Sequence, residues 1–300
     1  MSILDPAAFT TVDDPPFELF APAQQRVPFV FNSPHSGSAY PPDFVAQSPL
    51  PLLQLRGSED VLVDHLFASV MRAGAPLLAA RFPRAWLDVN REPYELDPTL
   101  FRERLPGHAN VHSQRVAAGL GTVPRLICEG RPIYSRPPTL AEGLDRIENV
   151  YRPYHAALGG LLQQTQDHFG YCVLVDCHSM PSFVAGTGRN GASDIVIGDR
   201  YGTSCHGDIS IALIEAFASR GYHVSRNKPY AGGFITEHYG RPAKRQHAIQ
   251  IEINRALYLD EKNLIPNAHF DSLVRDIADV VDDVLAMWDG NLRSLPFAAE

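Results

Sequence analysis

The chain has 300 residues, 45% of them apolar, which is enough for one substantial α/β core. Lysine and arginine number 26 against 34 aspartates and glutamates, a formal net charge of −8 with a pI near 5.8. That balance argues against nucleic acid or an anionic membrane surface as the main partner and points to a small molecule.

Residues 1–25, rich in Pro, Ala and acids without periodicity, read as an irregular N-terminal lead-in, and residues 26–300 as one domain. The apolar run Val27 to Asn32 is a strand candidate that empties into the tight turn Ser33-Pro-His-Ser-Gly37. Ser58-Glu-Asp60 then opens a helix-spaced pattern from Val61 to Met71, closed by Gly74, on which Asp60 and Asp64 would share a face. Pro76 to Arg81 and Ala85 to Asn90 are further strand candidates, followed by an irregular tract over 91–138 of the length that usually serves a site. Thr139 to His168 predicts helix with a break or kink at Pro153. Tyr171 to Cys177 is a buried strand ending at His178, Asp194 to Gly198 a short strand, and Ile209 to Arg220 a helix capped by Gly221. His247 to Ile253 alternates as a strand, and an amphipathic helix over 266–289 closes the chain. Without repeats or linkers, the simplest account is an α/β fold, a single domain with a mixed β-sheet flanked by helices.

No run approaches the ~18 apolar residues of a membrane span, and the N-terminus lacks the features of a signal peptide. Cys128, Cys172, Cys177 and Cys205 form no Cys-x-x-Cys pair, so reduced thiols and a cytoplasmic location are expected.

Two strand ends each present an imidazole, His35 and His178. A hydrolytic zinc site needs three ligands of the His/Asp/Glu type, an open position for water, and a carboxylate beside that water. Asp60, or failing it Asp64, can supply the third ligand. Glu252, in Gln250-Ile-Glu-Ile-Asn-Arg255, is a charge within a strand that otherwise reads as core; the lesser alternative is an acid pointing outward from an edge strand. Arg91, with its rigid fork, is a candidate anchor for an acidic substrate, and Arg125, Tyr134 and Arg189 are candidates for a second anion clamp. The glycine pattern Gly186-Thr-Gly-Arg-Asn-Gly191 follows no strand and opens no helix, so it is read as a loop rather than a dinucleotide site.

Together, Ser33-Pro-His-Ser-Gly37, Ser58 to Phe67, Leu87-Asp-Val-Asn-Arg-Glu-Pro93, Val175-Asp-Cys-His-Ser-Met180 and Ile249 to Arg255 resemble the N-formylglutamate amidohydrolase family. The resemblance, over about 28–285, implies a phosphorylase/hydrolase-like fold akin to the zinc carboxypeptidases. It also implies hydrolysis of N-formyl-L-glutamate to formate and L-glutamate in histidine degradation. By the same resemblance His35 and His178 match metal ligands for one zinc per chain, Glu252 the general base, and Asn90 with Arg91 the pair holding a substrate carboxylate. Asp60 is the preferred third ligand over Asp64, because a helix's first turn can face a strand-end cleft. The rival readings are a zinc deacylase or peptidase acting on another N-acyl amino acid, and a noncatalytic small-molecule-binding homologue. A panel of N-acyl substrates separates the first, metal analysis the second.

Overall fold

The structure, a computed structural model, describes residues 15–127, 130–185 and 192–291. It contains two compact units, one of Met1–Glu18, Pro34–Val61 and Ala79–Leu158, the other of Leu19–Ser33, Leu62–Leu78 and Gly159–Glu300. The strands of its main sheet are β1 (Phe17–Phe20), β2 (Phe29–Ser33), β3 (Leu77–Ala80), β4 (Cys172–Met180), β5 (Ile195–Gly198), β6 (Val224–Arg226) and β7 (Gln246–Asn254). Their spatial order is β1-β3-β2-β4-β7-β5-β6.

In the second unit β2, β4 and β7 run parallel, β5 runs antiparallel to β7, and β6 pairs parallel with β5, so the sheet is mixed as expected. Every residue of β2 and β4 is buried, the signature of interior strands covered on both faces. Alternation places Phe29, Phe31, Val175 and Ile251 on one face, where with Ile277 and Val284 they line a small apolar cavity. Those last two belong to helix Phe270–Asn291, whose Leu273, Ile277, Val280, Val281, Val284 and Leu285 are buried at the spacing of an amphipathic stripe. The opposite face carries Asn32, Asp176, His178, Gln250 and Glu252.

The first unit holds most of the irregular tract. Within it Phe82 packs edge-on against both Trp86 and Tyr154, and backbone bonds from Asp88 N to Thr122 O and from Thr122 N to Glu95 O tie the loops together. Helix Leu140–Arg146 starts at a capping box in which the Thr139 and Glu142 side chains each bond the other's backbone.

Four local expectations require correction. Phe17–Phe20 is a strand inside the tract read as an irregular lead-in. The pattern over 58–71 starts late and forms two short helices, Val63–Leu66 and Val70–Ala73: Leu62 takes a left-handed φ of 61° and Asp60 N bonds to His35 O instead of to a helical carbonyl, so the helix begins only at Val63, and residues 67–69 form a turn between the two. Asp60 and Asp64 therefore do not share a helix face. Ala85 to Asn90 is not a strand, since Trp86 N and Leu87 N both bond back to Pro83 O in a turn. Pro153 does not break its helix: a π turn over Ile147–Tyr151, with Arg152 N bonded to Ile147 O, carries the chain into helix Arg152–Phe169. The wider turn accommodates the ring that would otherwise press on the carbonyl four residues back. Strand β6 and the helices Pro42–Gln47 and Phe234–Tyr239 had no clear sequence signal.

Burial pushes His247 on β7 down from 6.5 to about 4, with the nearby His206 acting in the same direction. The unfolded chain binds this proton below 6.5 while the folded chain refuses it until about 4, so stability falls as pH drops through that window. We expect His247→Gln to flatten the decline in melting temperature between those pH values. An unchanged slope, followed by circular dichroism, would count against the assignment.

Candidate metal centre

His35 follows β2 by two residues, in a turn clamped on both sides. Ala39 N bonds to Arg81 O and Asp60 N to His35 O, while Gly37 lies so close to the Arg81–Phe82 backbone that a Cβ would fall 2.3 Å from Phe82 O. The glycine thus permits a contact that any side chain would prevent. His178 sits near the end of β4, its side chain on the polar face of the sheet.

His35, Asp60 and His178 are all buried, and each offers a ligand atom within 4.8 Å of the others. His35 Nδ1 lies 3.4 Å from Asp60 Oδ2, which is the separation of about 3.4 Å expected for two ligands bonded at about 2.1 Å to a tetrahedral ion. Asp64 is not in the group; its side chain is partly exposed, and its Oδ2 stands 4.0 Å from His65 Nε2.

A buried carboxylate orients each imidazole. His35 Nε2 pairs with Asp88 Oδ1 at 2.8 Å, and His178 Nε2 with Asp176 Oδ2 at 2.9 Å. Both rings therefore have Nδ1 as the remaining ligand atom, with the tautomer and plane set from behind, as in carboxylate–histidine–metal triads. Asp176 also accepts from Asn32 Nδ2 at 2.7 Å. Asp88 accepts from Asn90 N at 2.8 Å and Arg84 Nε at 3.0 Å, and Arg91 Nη2 stands 3.2 Å from its other oxygen. Burial by itself would raise the Asp88 carboxyl, but Arg91, His35 and Arg84 outweigh it and hold Asp88 well below the usual carboxylate range. The donor set fits a divalent ion: two imidazoles paired at Nε2 and one buried carboxylate, with ligand atoms within 4.8 Å of one another.

Glu252 is next to this group by strand register. It is the Cα partner of His178 in the parallel β4–β7 ladder, on the same face, and is 6% exposed. Because β7 lies between β4 and β5, the outward-facing edge position does not apply. Its Oε1 accepts from Gln250 Nε2 at 2.7 Å, and Gln250 Oε1 accepts from Gly233 N at 2.8 Å, so the amide is turned with its NH2 toward the acid.

Arg91 and Arg125, expected to clamp substrate, each have partners within the protein. Arg91 donates from Nε to Leu120 O, from Nη1 to Asn90 O, and from Nη2 toward Asp88; burial brings its pKa down from 12.5 to about 10 despite the nearby Asp88. Arg125 Nε donates to Asp97 at 2.7 Å. Tyr134 is buried and accepts from Arg146 at 2.8 Å. Arg189 and Cys128 lie outside the described residues, as does the segment 186–191; Cys172, Cys177 and Cys205 are buried thiols. The orienting acids Asp88 and Asp176 had no role in the sequence reading. Asp176-x-His178 does carry a signal, since residues two apart share a strand face; Asp88, 53 residues from His35, carries none.

A mixed sheet with a buried His/Asp/His group whose ligand atoms lie close enough to hold a metal ion defines the class, an α/β protein with a candidate metal centre. The sequence pattern of the N-formylglutamate amidohydrolase family matches residues 27–259, and the chain belongs to that family. An N-formylglutamate deformylase of Pseudomonas aeruginosa is 30% identical over 241 residues, 79% of this chain and 84% of the relative. The crystal structure of N-formylglutamate amidohydrolase from Ralstonia eutropha is similar at 36% identity and a TM-score of 0.86, covering 91% of this chain and 98% of that one. A gene product of Agrobacterium tumefaciens, 17% identical with a TM-score of 0.66 over 94% of this chain and all of its own, shares the fold. Among the described residues no helix is long and apolar enough to cross a membrane.

Replacing Gly37 by Ala should destabilise the fold by about 1–3 kcal/mol, because the new methyl meets fixed backbone rather than a movable side chain. Chemical denaturation measures this; a wild-type midpoint for Gly37→Ala would show that the turn relaxes.

Proposed function

We propose that this chain hydrolyses N-formyl-L-glutamate to formate and L-glutamate, using one zinc ion held by His35, Asp60 and His178. The observation that carries the reading is the convergence of these three ligand atoms in a chain whose family match spans 27–259. Two imidazoles and a carboxylate suit zinc among the common divalent ions. An ion bound there supplies Lewis-acid polarisation of the formyl carbonyl and lowers the pKa of water.

The remaining steps belong to the protein. Glu252, beside His178 in register, takes the proton of the attacking water and returns it to the departing amine, acting as base and then as acid. Gln250 fixes the acid by its hydrogen bond to Oε1. Asp88 and Asp176 keep both imidazoles in the tautomer that presents Nδ1. Asn90 and Arg91 hold Asp88 in place, an orienting role that Arg91's own hydrogen bonds support better than direct contact with substrate.

Formate release from N-formyl-L-glutamate, with and without a chelator, tests the reading. Activity should vanish on chelation and return with zinc; full activity in a metal-depleted protein would sink the metal assignment, and turnover of only other N-acyl amino acids would redirect the substrate. Glu252→Gln should retain the ion, measured by atomic emission, and lose roughly 10²–10⁴-fold in rate. Asp176→Asn should weaken zinc binding by about 10–100-fold, read by competition with a chromophoric chelator.

A further inference from the structure

Arg146 is a buried cation whose direct partners are all neutral. It ends the helix Leu140–Arg146 and is 6% exposed. Its Nη1 donates to Trp86 O at 3.0 Å and to the Tyr134 hydroxyl at 2.8 Å. The rings of Trp86, Tyr134 and Phe44 surround the guanidinium carbon at 5.0, 5.9 and 6.0 Å. The N–H groups on Nε and Nη2 take no acceptor from the described residues, and none of their carboxylates forms an ion pair with Arg146. The acid that senses its charge is Glu142, one turn back, exposed and closed into the capping box with Thr139.

Burying a guanidinium without a counter-charge is costly, and cation–π contacts offset only part of that cost. An aromatic box with an unfilled planar fork is instead a receptor for an anion, because a carboxylate restores the missing charge and accepts two parallel hydrogen bonds. The low-dielectric walls strengthen that pair. Location favours the same conclusion. Trp86, whose carbonyl anchors Arg146, is two residues from Asp88, which holds His35, so the fork is tied by a short stretch of backbone to a residue of the metal centre. Around that centre Asp60, Asp88, Asp176 and Glu252 are all acids, and a dicarboxylate substrate needs a cation that they have not engaged. Arg84 and Arg91 face Asp88 and Arg125 is taken by Asp97; Arg146 is not so engaged.

Resting on the amidohydrolase reading, we propose that Arg146, framed by Phe44, Trp86 and Tyr134, binds a carboxylate of the acidic substrate and sets the preference for glutamate over its amides. The test compares the full-length wild type with Arg146→Gln and Arg146→Lys, the latter keeping the buried charge while losing the fork. Steady-state kinetics on N-formyl-L-glutamate, N-formyl-L-glutamine and the α-amide are combined with melting curves in the presence and absence of glutarate. Both variants should raise KM for N-formyl-L-glutamate by about 10–100-fold, the range of a charge-assisted hydrogen bond. The preference over one of the two amides should collapse toward unity, and glutarate should stabilise the wild type but not Arg146→Gln. A purely structural role would lower melting temperature and kcat without moving the selectivity ratio. Wild-type KM and selectivity in Arg146→Lys would overturn the proposal, even if Arg146→Gln fails to fold. If the wild type releases no formate, the reaction assignment falls separately, and glutarate binding still decides the site: its loss in Arg146→Gln supports the proposal and its retention overturns it.

Discussion

The parallel pairing of β4 with β7 is the constraint on which the site depends. Nine rungs, from Cys172 opposite Gln246 to Met180 opposite Asn254, put His178 and Glu252 side by side on one face. A slip of one residue in either strand would turn its polar set into the apolar layer and bring Ile251 or Ile253 to the polar face. The register is held by burial on both sides: Val175 and Ile251 face the closing helix across an apolar layer, and the polar residues satisfy one another on the opposite face. Position along the strand is therefore set by hydrophobic packing, and the chemistry inherits it.

The same division of labour extends to the charges. Each imidazole is backed by an aspartate, and Asp88 is backed in turn by Arg84, Arg91 and the Asn90 amide. Buried acids and bases at this density are tolerable only when mutually satisfied, and Arg91 and Arg125, which look like substrate clamps in the sequence, each meet an acid in the fold. Arg146 departs from that pattern, surrounded by rings and a carbonyl where the others meet acids. Its position in the first third of a 139–169 helical stretch gave no sign of this, since the Trp86 and Tyr134 that frame it are distant in sequence.

Much of the site was legible in one dimension. His35 was marked by an apolar run ending in a polar turn, His178 by an apolar run that continues through it to Met180, and Glu252 by being an acid in a strand of Ile residues; such strands are short and their burial is local in sequence. The main helices followed from periodicity and caps, including the Thr139 start and the closing amphipathic stripe. What misled was context: Leu62 adopting a left-handed turn kept Asp60 out of an apparently helical pattern, and Ala85–Asn90 had strand composition but bonded to Pro83 and Thr122 instead of to a neighbouring strand.

The amino-acid sequence by itself determined the elements, the family motifs and the kinds of donor available, because hydrophobic period, turn chemistry and ligand type are properties of neighbouring residues. Only the tertiary structure decided that Asp60 rather than Asp64 joins the two histidines, that Asp88 and Asp176 orient them, and that Arg146 rather than Arg91 keeps an unfilled fork. Those are choices among chemically equivalent side chains, and they are made by distance and burial, which arise when segments far apart along the chain pack together.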